Sequence, residues 1–556
     1  MTFDPSSPID PPAVPSIDYR HLSWAARLVC DYCHDFERLR PFFEGSPLDP
    51  EAWRQAIETR HANPANHPQI KAAVMEQLTS RGAPDAALAA AEKLSNPATV
   101  AIVAGQQAGL FGGPLFTLLK GLTAIAVARE VSVKYTIQAV PVFWVHAEDH
   151  DLEEISNCSV LTSDFEFETI MIPHDSSSSQ PASAVRLNDS IVSTLNRLRE
   201  LLPNTEFSNS VFSQLSNAYK PGRGIVEAFA LWMDTLLGPH GLVVFDASDT
   251  AVKSIARPIF QKELDTVGET SRLATESGSD LIAKGYHAQV TPSQNSTGLF
   301  YLSGSRQAIR LKTNERAFER AFDIDGKILS RQQINVQLAN NPDAFSPNVL
   351  LRPIVQDKIF PTIATIAGPS ELAYLGQLRQ VYNHFDIPMP IIYPRTSATI
   401  VDQGTLRFMK RYDVKFEMLQ AQDDGVLNRL LSNLLPDEVD KTIEETKQAI
   451  NNHLAAVSVG VAKIDPTLVG AVETTKNRMD RDLKKLGSKI IQAAKRRDET
   501  LHRQFRRARS QSFPNGDPQE RAVNCIYFLN RYGLQMVDHV IKQLPLKIGQ
   551  HGLITV

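Results

Sequence analysis

The chain has 556 residues, of which 42% are hydrophobic and 22% charged, with a formal net charge of −4 at pH 7. These fractions are typical of a globular protein, and the slightly acidic balance excludes a chain that coats nucleic acid through a globally basic surface. The longest apolar runs are far shorter than the roughly 18 residues of a membrane span, and four scattered cysteines do not make a disulfide framework. We therefore expect a cytoplasmic protein that binds neither membranes nor nucleic acid.

Residues 19–94 carry a helical pattern, and the pattern changes sharply at Thr99. The apolar run 99–104 predicts a strand, Pro114 suits the first turn of a following helix, and the apolar run 140–146 predicts a second strand buried on both faces. A strand, a helix and a parallel strand form a βαβ unit, so we predict an α/β core. Further strands of this core are predicted at 241–246, 362–368 and 389–394.

Two regions depart from the α/β pattern. Residues 284–330 are predicted as a β-rich insertion, because segments within 284–312 alternate like an antiparallel ribbon. Residues 397–556 are predicted as a separate C-terminal domain, since helical periodicity dominates from residue 435 onward and strand signals nearly vanish. The first domain accordingly covers residues 1–396, with the helical lead at 19–94.

The C-terminal domain contains a long predicted helix that starts at Asp465-Pro466, a capping residue followed by proline at the first helical position. Apolar residues then recur at steps of three and four, close to a heptad seam, at Met479, Leu483, Leu486, Ile490 and Ala494. A helix of about 45 residues needs a partner for this stripe. We therefore predict an antiparallel coiled coil with residues 437–460, or a homodimer.

The same region is strongly basic. Residues 471–510 contain 13 Lys and Arg but only five Asp and Glu, within a chain whose net charge is negative. A solvated helix face is the simplest interpretation of this charge. A contact with a phosphate or nucleotide, or with nucleic acid, is the alternative.

A glycine-rich turn, GQQAGLFGGP, joins the first predicted strand to its helix. Glycines let the backbone approach a ligand closely, and the start of a helix offers unpaired N–H groups to an anion. The turn matches neither the Walker pattern nor G-x-G-x-x-G, and a purely structural turn is the alternative. The candidate substrate-binding residues of this segment are Gly105, Gln106, Gln107, Gly113 and, on the helix, Lys120.

The segment HAEDHD follows the second predicted strand directly. The carboxyl ends of such strands face the ligand crevice, and so many imidazoles and carboxylates cannot all be buried without partners. A histidine beside a carboxylate is a suitable general base, so the catalytic candidates are His146, Glu148, Asp149 and His150. A metal site at the two histidines would require a helix where the strand should end, so no metal ligand is assigned. A structural polar turn is the other alternative.

Two later stretches add candidates for binding anions. In SPNVLLRP, Arg352 can clamp a carboxylate through two parallel hydrogen bonds, with Asn348 beside it. In AGPSEL a strand enters a helix, and Gly368, Ser370 and Glu371 lie where a carboxylate or phosphate binds readily. Ser370 and Glu371 are equally suitable as capping residues. No G-x-S-x-G or H-E-x-x-H pattern occurs, so hydrolase templates have no support.

The chain resembles the bacillithiol-biosynthesis cysteine-adding enzymes, a family of cysteine ligases, in five stretches: GQQAGLFGGPLFTLLK, PVFWVHAEDHDLEEI, SPNVLLRPIVQD, AGPSELAYLGQL and PQERAVNCIYFLNRYG. GLVVFDAS, followed by Lys253, and KGYHAQV fit the same pattern. The resemblance runs in order from about residue 19 to the C-terminus. It is therefore far more specific than any single motif.

The resemblance implies a Rossmann-like core, similar to that of class I aminoacyl-tRNA synthetases and nucleotidylyltransferases, with connecting-peptide insertions. It also implies a C-terminal coiled-coil domain that mediates dimerisation, and a nucleotide site near it, which gives residues 471–510 added interest. The implied reaction joins L-cysteine to the free amine of glucosaminyl-malate through an amide bond. The resemblance further implies which residues line the ligand crevice: Gly105, Gln106, Gln107, Gly113, His146, Glu148, Asp149, His150, Asn348, Arg352, Gly368 and Glu371.

Forming an amide from a free acid is uphill in water, so we expect the cysteine carboxylate to be activated. Our hypothesis is activation by ATP with Mg²⁺, ATP or ADP being the expected cofactor, without a tightly bound metal. The glucosamine nitrogen would then attack with His146 or His150 as base. Two other classes stay open: another class I synthetase-like ligase or nucleotidylyltransferase, and a non-catalytic coiled-coil scaffold that binds a ligand without turnover.

Overall fold

The computed structural model describes residues 15–63, 67–173, 179–293, 296–313, 320–432, 437–497 and 499–556. The chain divides into two compact units. The first unit comprises Met1–Ile400 and Gln519–Val556, and the second comprises Val401–Pro518.

The first unit begins with a short strand and four helices, in the region where the sequence predicts a helical lead. They are β1 (Ser16–Asp18), α1 (Arg27–His34), α2 (Pro50–Ala62), α3 (His67–Arg81) and α4 (Asp85–Glu92). Helix α2 begins with a side-chain cap: the Asp49 side chain accepts a hydrogen bond from the Glu51 backbone N–H at 2.9 Å, and a proline follows the cap.

The predicted βαβ unit is present as β2 (Val100–Gln106), α5 (Leu115–Tyr135) and β3 (Ala139–Val145). β2 and β3 are parallel, with Val100 opposite Ala139 and Gln106 opposite Val145. Nearly every residue of both strands is buried, because helices cover both faces of the sheet. The α/β prediction for this region is confirmed.

A long segment separates β3 from the next core strand. It contains a small antiparallel hairpin of two strands and four helices: α6 (Leu152–Ser156), β4 (Asn157–Leu161), β5 (Phe167–Met171), α7 (Ser190–Leu201), α8 (Ser208–Ala218) and α9 (Ile225–Leu237). The core then resumes with β6 (Val243–Asp246), α10 (Thr250–Asp265) and α11 (Glu269–Ala283).

The β-rich insertion forms a five-stranded antiparallel sheet with the order β10-β9-β8-β7-β11. Its elements are β7 (Ser296–Leu302), β8 (Arg306–Thr313), β9 (Arg320–Ile324), β10 (Lys327–Ser330), α12 (Arg331–Asn340) and β11 (Phe345–Pro347). The strands therefore begin at Ser296, later than the 284 boundary of the predicted insertion, and the last strand follows α12. Helix α13 (Arg352–Ile359) leads back to the core.

The core sheet is completed by β12 (Thr362–Ala367), α14 (Pro369–Leu375), α15 (Arg379–His384) and β13 (Ile391–Pro394), and a further strand, β14 (Ser397–Val401), follows. The five core strands are all parallel and have the order β13-β12-β2-β3-β6. Their carboxyl ends consequently meet along one edge, where open α/β sheets bind ligands.

The second unit consists of helices α16 (Gln403–Tyr412), α17 (Gly425–Ser432), α18 (Asp437–Ala462), α19 (Val469–Arg497) and α20 (Glu499–Ser512). The predicted cap is present, since the Asp465 side chain accepts from the Thr467 backbone N–H at 2.8 Å. α18 packs against α19 within the chain, which supplies a partner for the seam, although Met479 and Leu486 remain 40% and 47% exposed. Residue 498, inside the predicted 45-residue helix, lies outside the described residues.

The last part of the chain returns to the first unit. It contains α21 (Gln519–Ala522), α22 (Cys525–Tyr532), α23 (Met536–Gln543) and β15 (Gln550–Thr555). β15 lies between β1 and β14 in a three-stranded sheet, so the two ends of the first unit are tied together. Residues 519–556 pack with the first unit, where β15 lies between β1 and β14, while the sequence pattern predicts one C-terminal domain over 397–556.

Candidate active site

A cavity of about 640 Å³ lies at the carboxyl ends of the core strands. It is bordered by the segments that follow β2, β3, β12 and β13, by the insertion sheet, and by α21. Of the predicted site residues, those that line it are Gln106, Gln107, Lys120, His146, Glu148, Asp149, Asn348, Arg352, Gly368, Ser370 and Glu371. The remaining lining residues that matter chemically are Glu154, Arg306, Tyr374, Arg395 and Arg521, with Phe116, Trp144 and Phe300 as aromatic walls.

Lys120, on α5, is only 1% exposed and ties together two parts of the sheet edge. Its ammonium group donates to the Gly105 carbonyl at 2.7 Å and to Gln106 Oε1 at 3.0 Å, and it forms an ion pair with Glu371. Burial lowers the pKa of Lys120, and the Glu371 carboxylate opposes this shift. Because its partners come from both β2 and α14, Lys120 holds these two elements in a fixed relative position.

His146 directly follows β3, and its backbone N–H donates to the Gln106 carbonyl at 2.9 Å. Its Nε2 atom is buried and has no hydrogen-bond partner among the residues that the structure describes. A Cβ at position 105 would lie 2.8 Å from this atom, so only the glycine there leaves room for the imidazole. Burial, reinforced by three nearby cations, holds the pKa of His146 well below its usual 6.5, so the ring is neutral at pH 7. The three cations are Arg352, Lys120 and Arg306.

Asp149 is the junction of a second group of contacts. Its Oδ2 accepts from Gln107 Nε2 at 2.7 Å, and its Oδ1 lies 3.4 Å from Arg306 Nη1. The same Arg306 nitrogen lies 3.2 Å from Nδ1 of His150, which must therefore act as an acceptor. Arg306 also stacks over the Phe300 ring at 3.9 Å. Arg306 comes from the insertion sheet, so this insertion forms part of the cavity wall.

Glu148 is 9% exposed and pairs with Lys253 of α10, whose side chain is also buried. The Lys253 ammonium group additionally donates to the Phe345 carbonyl at 3.0 Å. The ion pair holds the buried Glu148 carboxylate in place, since an unpaired charge there would be costly. Glu148 thus shapes the cavity and links β3 to the insertion.

Arg352 begins α13 and lines the cavity. Its Nη1 donates to Gln356 Oε1 at 3.2 Å and its Nη2 to the Tyr374 hydroxyl at 2.5 Å, so neutral groups hold it. Within the described ranges, Arg352 has no carboxylate partner, and the same is true of Arg521 at the cavity mouth. Asn348 orders the turn before the same helix, its Oδ1 accepting from the backbone N–H groups of residues 350 and 351. The positive charge of Arg352 is therefore available to an anion.

Glu371 and Gly368 form the start of α14. The Glu371 carboxylate accepts the Gly368 backbone N–H at 2.8 Å, which is the reciprocal half of a capping box, and it also neutralises Lys120. Ser370 is exposed at the rim. The N–H of Gly368 and the Glu371 carboxylate are thus already used by the protein, which matches the capping alternative for Glu371.

Three predicted site residues do not line the cavity. Gly105 lies behind His146, as described above, and the His150 side chain is 45% exposed beside Arg306. Gly113 has a φ of 72° and its carbonyl accepts from the Cys525 backbone N–H at 3.1 Å.

The start of α5, at Pro114, contacts the C-terminal segment of the chain. The backbone N–H of Leu115 donates to the Val523 carbonyl at 2.8 Å, and Asn524 Nδ2 donates to the Leu110 carbonyl at 2.8 Å. The C-terminal segment therefore satisfies one of the backbone N–H groups at this helix start.

The sequence prediction missed three cavity arginines. Arg395 directly follows a predicted strand, so the rule that the carboxyl ends of strands meet at one edge would have found it. Arg521 lies in the stretch PQERAVNCIYFLNRYG, for which no role was assigned. Arg306 lies in the insertion, and no local signal in the sequence connects that insertion with the sheet edge.

Four polar atoms of the lining residues are buried without a hydrogen-bond partner in the described part of the chain: Gln107 Oε1, His146 Nε2, Arg306 Nε and Arg395 Nε. Buried polar groups are nearly always paired, so each exception requires an explanation such as a bound water, ion or ligand. Across the described residues, no group of three or more His, Cys, Asp or Glu side chains is arranged to hold a metal ion. No described helix has the length and apolar character needed to cross a bilayer.

Comparison with known proteins identifies the family. The model of the bacillithiol biosynthesis BshC N-terminal Rossmann-like domain matches residues 14–396, and that of the BshC C-terminal coiled-coil domain matches residues 398–556. This chain belongs to the BshC family. The predicted resemblance and the predicted Rossmann-like fold with a helical coiled-coil domain are thereby confirmed.

Curated relatives from three bacteria cover most of the chain, and each carries the name "Putative cysteine ligase BshC". The protein of Salinibacter ruber is 31% identical over 95% of this chain and 96% of its own length, and that of Koribacter versatilis is 30% identical over 96% and 97%. The protein of Chlorobaculum tepidum is 34% identical over 82% of each chain. The prediction of a ligase is confirmed at the level of this BshC family.

Proposed function

We propose that this BshC-family chain joins the carboxyl group of L-cysteine to the free amine of glucosaminyl-malate through an amide bond. The observation that carries the proposal is the cavity at the sheet edge, where a neutral imidazole and guanidinium groups leave buried polar atoms without partners. The names of the relatives support cysteine as one substrate. The second substrate is inferred from its chemistry, as follows.

Glucosaminyl-malate carries two carboxylates, and the cavity offers cations to receive them. Arg352 and Arg521 line it without a carboxylate partner in the described ranges, and the carboxylate nearest to Arg306 is Asp149, whose oxygen is 3.4 Å away. Guanidinium groups bind carboxylates through two parallel hydrogen bonds, which fixes orientation as well as position. The excess of positive charge therefore supports a dianionic substrate.

His146 is the proposed general base. The attacking amine of glucosamine must lose a proton as the C–N bond forms, and a neutral imidazole with a free nitrogen can accept it. The low pKa of His146 makes the free ring a weak base. However, part of this shift comes from Arg352, Lys120 and Arg306, so a bound dianion that offsets these cations would raise the pKa toward its usual range. Substrate binding would thus prepare the base.

Activation of the cysteine carboxylate completes the proposal, because direct condensation with an amine is uphill in water. ATP with Mg²⁺ would supply this activation and with it the free energy of amide formation. The cationic lining as a whole fits phosphate groups as well as carboxylates. Since no cluster of metal-binding side chains occurs in the described residues, Mg²⁺ would be bound chiefly through the phosphates.

The test is a mass-spectrometric assay with the purified full-length protein, glucosaminyl-malate and L-cysteine, with and without ATP and Mg²⁺. We expect a product whose mass equals the sum of the two substrates minus water, formed only when ATP is present. Product without ATP would refute ATP as the activator while supporting the amide ligase. Binding of both substrates with no product under either condition would contradict the ligase proposal and favour a binding scaffold.

A second assay tests whether the enzyme recognises the malate carboxylates of its substrate. Glucosaminyl-malate should be compared with the same glucosamine lacking the malate, which keeps the nucleophile and removes both carboxylates. We expect kcat/KM to fall at least 100-fold for the truncated amine, because both anion contacts are lost. Equal kcat/KM for the two amines would contradict the role of the arginines in substrate choice.

A further inference from the structure

Arg395 occupies an unusual place in the cavity wall. It directly follows β13, is 5% exposed, and lines the cavity. Its Nη1 donates to the Thr396 carbonyl at 2.8 Å and to Glu520 Oε2 at 2.9 Å, and its Nη2 donates to Glu520 Oε1 at 2.8 Å. Three of the five N–H donors of the guanidinium are therefore used.

The two remaining donors lie on the same edge of the guanidinium. Glu520 occupies the end that carries Nη1 and Nη2, which leaves Nε–H and the second hydrogen of Nη2 side by side. Nε is buried and has no partner among the described residues. A pair of parallel N–H donors on one edge matches the two oxygens of a carboxylate or phosphate. A buried donor left without a partner is costly, which argues for a ligand at this edge.

Glu520 holds Arg395 in this orientation. It is 4% exposed and accepts two further hydrogen bonds, from Ser397 Oγ at 3.0 Å and from the Ala398 backbone N–H at 3.0 Å. The guanidinium and these hydrogen bonds lower its pKa to about 2 despite its burial, so the carboxylate is permanently charged. With four contacts the Glu520 carboxylate cannot rotate, and the free edge of Arg395 is fixed with it.

We propose that the free edge of Arg395, positioned by Glu520, is a subsite for an oxyanion of a bound substrate, either a carboxylate or a phosphate. The choice of substrate rests on the function proposed above, whereas the subsite itself rests on the donor count. Arg521, next to Glu520 in the chain, adds positive charge at the cavity lining. Arg395 contacts the ligand directly, and Glu520 is a positioning residue.

Access to the subsite requires a small movement. The Arg395 guanidinium lies 5.6 Å from the ring centroid of Phe116, which also lines the cavity. Since Nε is buried, an oxyanion reaches it only when a neighbouring side chain moves aside. Ligand binding then exchanges a cation–aromatic contact for two charge-assisted hydrogen bonds.

The first experiment measures steady-state kinetics of Arg395→Lys and Glu520→Gln in the full-length protein. Lysine keeps the charge that Glu520 needs but lacks the two-donor edge, and glutamine keeps the shape of Glu520 but loses its charge. We expect KM for the substrate that carries the bound oxyanion, either glucosaminyl-malate or ATP, to rise about 10- to 100-fold in both variants. We expect kcat to stay within about threefold, because the contact exists before and during the reaction. An unchanged KM in Arg395→Lys would overturn the proposal.

The matched control is another buried ion pair of the first unit that does not line the cavity. Arg81 Nε donates to Asp234 Oδ2 at 2.7 Å, and both side chains are less than a tenth exposed. Asp234→Asn should lower the melting temperature, as Glu520→Gln does, but leave KM unchanged. If Asp234→Asn raised KM equally, the effect in Glu520→Gln would reflect general loosening of the fold, and Glu520 would lose its positioning role.

The second experiment needs no catalysis and so separates the subsite from the proposed reaction. Isothermal titration of L-malate, inorganic phosphate and ATP is compared between wild type and Arg395→Lys. Loss of malate affinity alone assigns a carboxylate, and loss of phosphate or ATP affinity assigns a phosphate; both support the subsite. Equal affinities in the two proteins, or a wild-type protein that binds none of the three probes, would overturn it even if the ligase assay succeeds.

Discussion

Two histidines of the first unit are both buried but differ in their hydrogen bonds. His146 lies at the cavity with Nε2 unpartnered in the described structure, whereas His551 of β15 is 0% exposed and has both ring nitrogens in hydrogen bonds. Its Nδ1 lies 2.7 Å from Ser397 Oγ and its Nε2 2.9 Å from Thr399 Oγ1. Burial lowers the pKa of both, to about 4 for His551.

The pKa shift alone therefore does not separate a catalytic histidine from a structural one. The difference lies in hydrogen bonding, because both ring nitrogens of His551 are hydrogen-bonded within the fold, whereas Nε2 of His146 has no partner in the described structure. The same distinction holds for the arginines, since Arg395 gives one edge to Glu520 and keeps the other. The comparison of the two histidines can be tested by making the same substitution at both.

The largest effect is expected for His146→Gln. We expect kcat to fall about 100- to 10,000-fold, the usual range for loss of a general base, while the melting temperature changes by only a few degrees, because no described hydrogen bond of the ring is lost. The measurement is initial rates in the mass-spectrometric assay beside thermal unfolding. A rate within a few-fold of wild type would remove His146 from the mechanism.

The acid stability of the protein should depend on His551. Its pKa is about 4 in the folded state against 6.5 for a free histidine, so the unfolded chain binds more protons between these values. The neutral ring contributes fully to the free energy of unfolding above pH 6.5. This contribution declines as the pH falls and is smaller by about 3 kcal/mol at pH 4. Urea unfolding followed by tryptophan fluorescence reports on the first unit, since all four Trp residues lie in it.

The matched variant for that measurement is His551→Gln, which does not titrate. Between pH 7 and pH 4, its free energy of unfolding should fall by about 3 kcal/mol less than that of wild type. Identical pH profiles would show that other groups account for the acid sensitivity.

At neutral pH, His551→Gln should lower the free energy of unfolding by about 1–3 kcal/mol, because a buried hydroxyl of Ser397 or Thr399 loses its partner. Its kcat should stay within a few-fold of wild type, in contrast to His146→Gln. A loss of kcat as large as that of His146→Gln, with stability unchanged, would reverse the two assignments.

A smaller effect is expected for Gly105→Ala. The new Cβ would lie 2.8 Å from His146 Nε2, so the imidazole must move, and we expect kcat to fall about 10-fold. Gly460→Ala is a suitable control, since a Cβ there has no heavy atom within 4 Å. If both variants kept wild-type kcat, the close contact between Gly105 and His146 would have no catalytic meaning.

The smallest effect is expected for His150→Gln. The His150 side chain is 45% exposed and contacts Arg306 rather than the cavity, so kcat should stay within about threefold of wild type. A loss of kcat beyond 10-fold would make His150 a better candidate for the general base than His146.

Much of the candidate site could be predicted from sequence because its parts follow local rules. The strands β2 and β3 are continuous apolar runs, and polar residues at their carboxyl ends face the same edge, so Gln106, Gln107 and the 146–149 segment were found. The same rules could not tell that Gly113 and His150 lie outside the cavity, because the side on which a loop residue lies depends on what packs against it.

The sequence alone determined the elements: the period of apolar residues, the caps and the glycine turn specify β2, α5 and β3, and the family motifs specify the class of protein. Only the tertiary structure decided which groups share the cavity. Arg306 arrives from the insertion, Arg521 from the returning C-terminal segment, and that segment also contacts the start of α5. Such contacts join residues separated by hundreds of positions, and they form because burying apolar surface between elements outweighs any local preference.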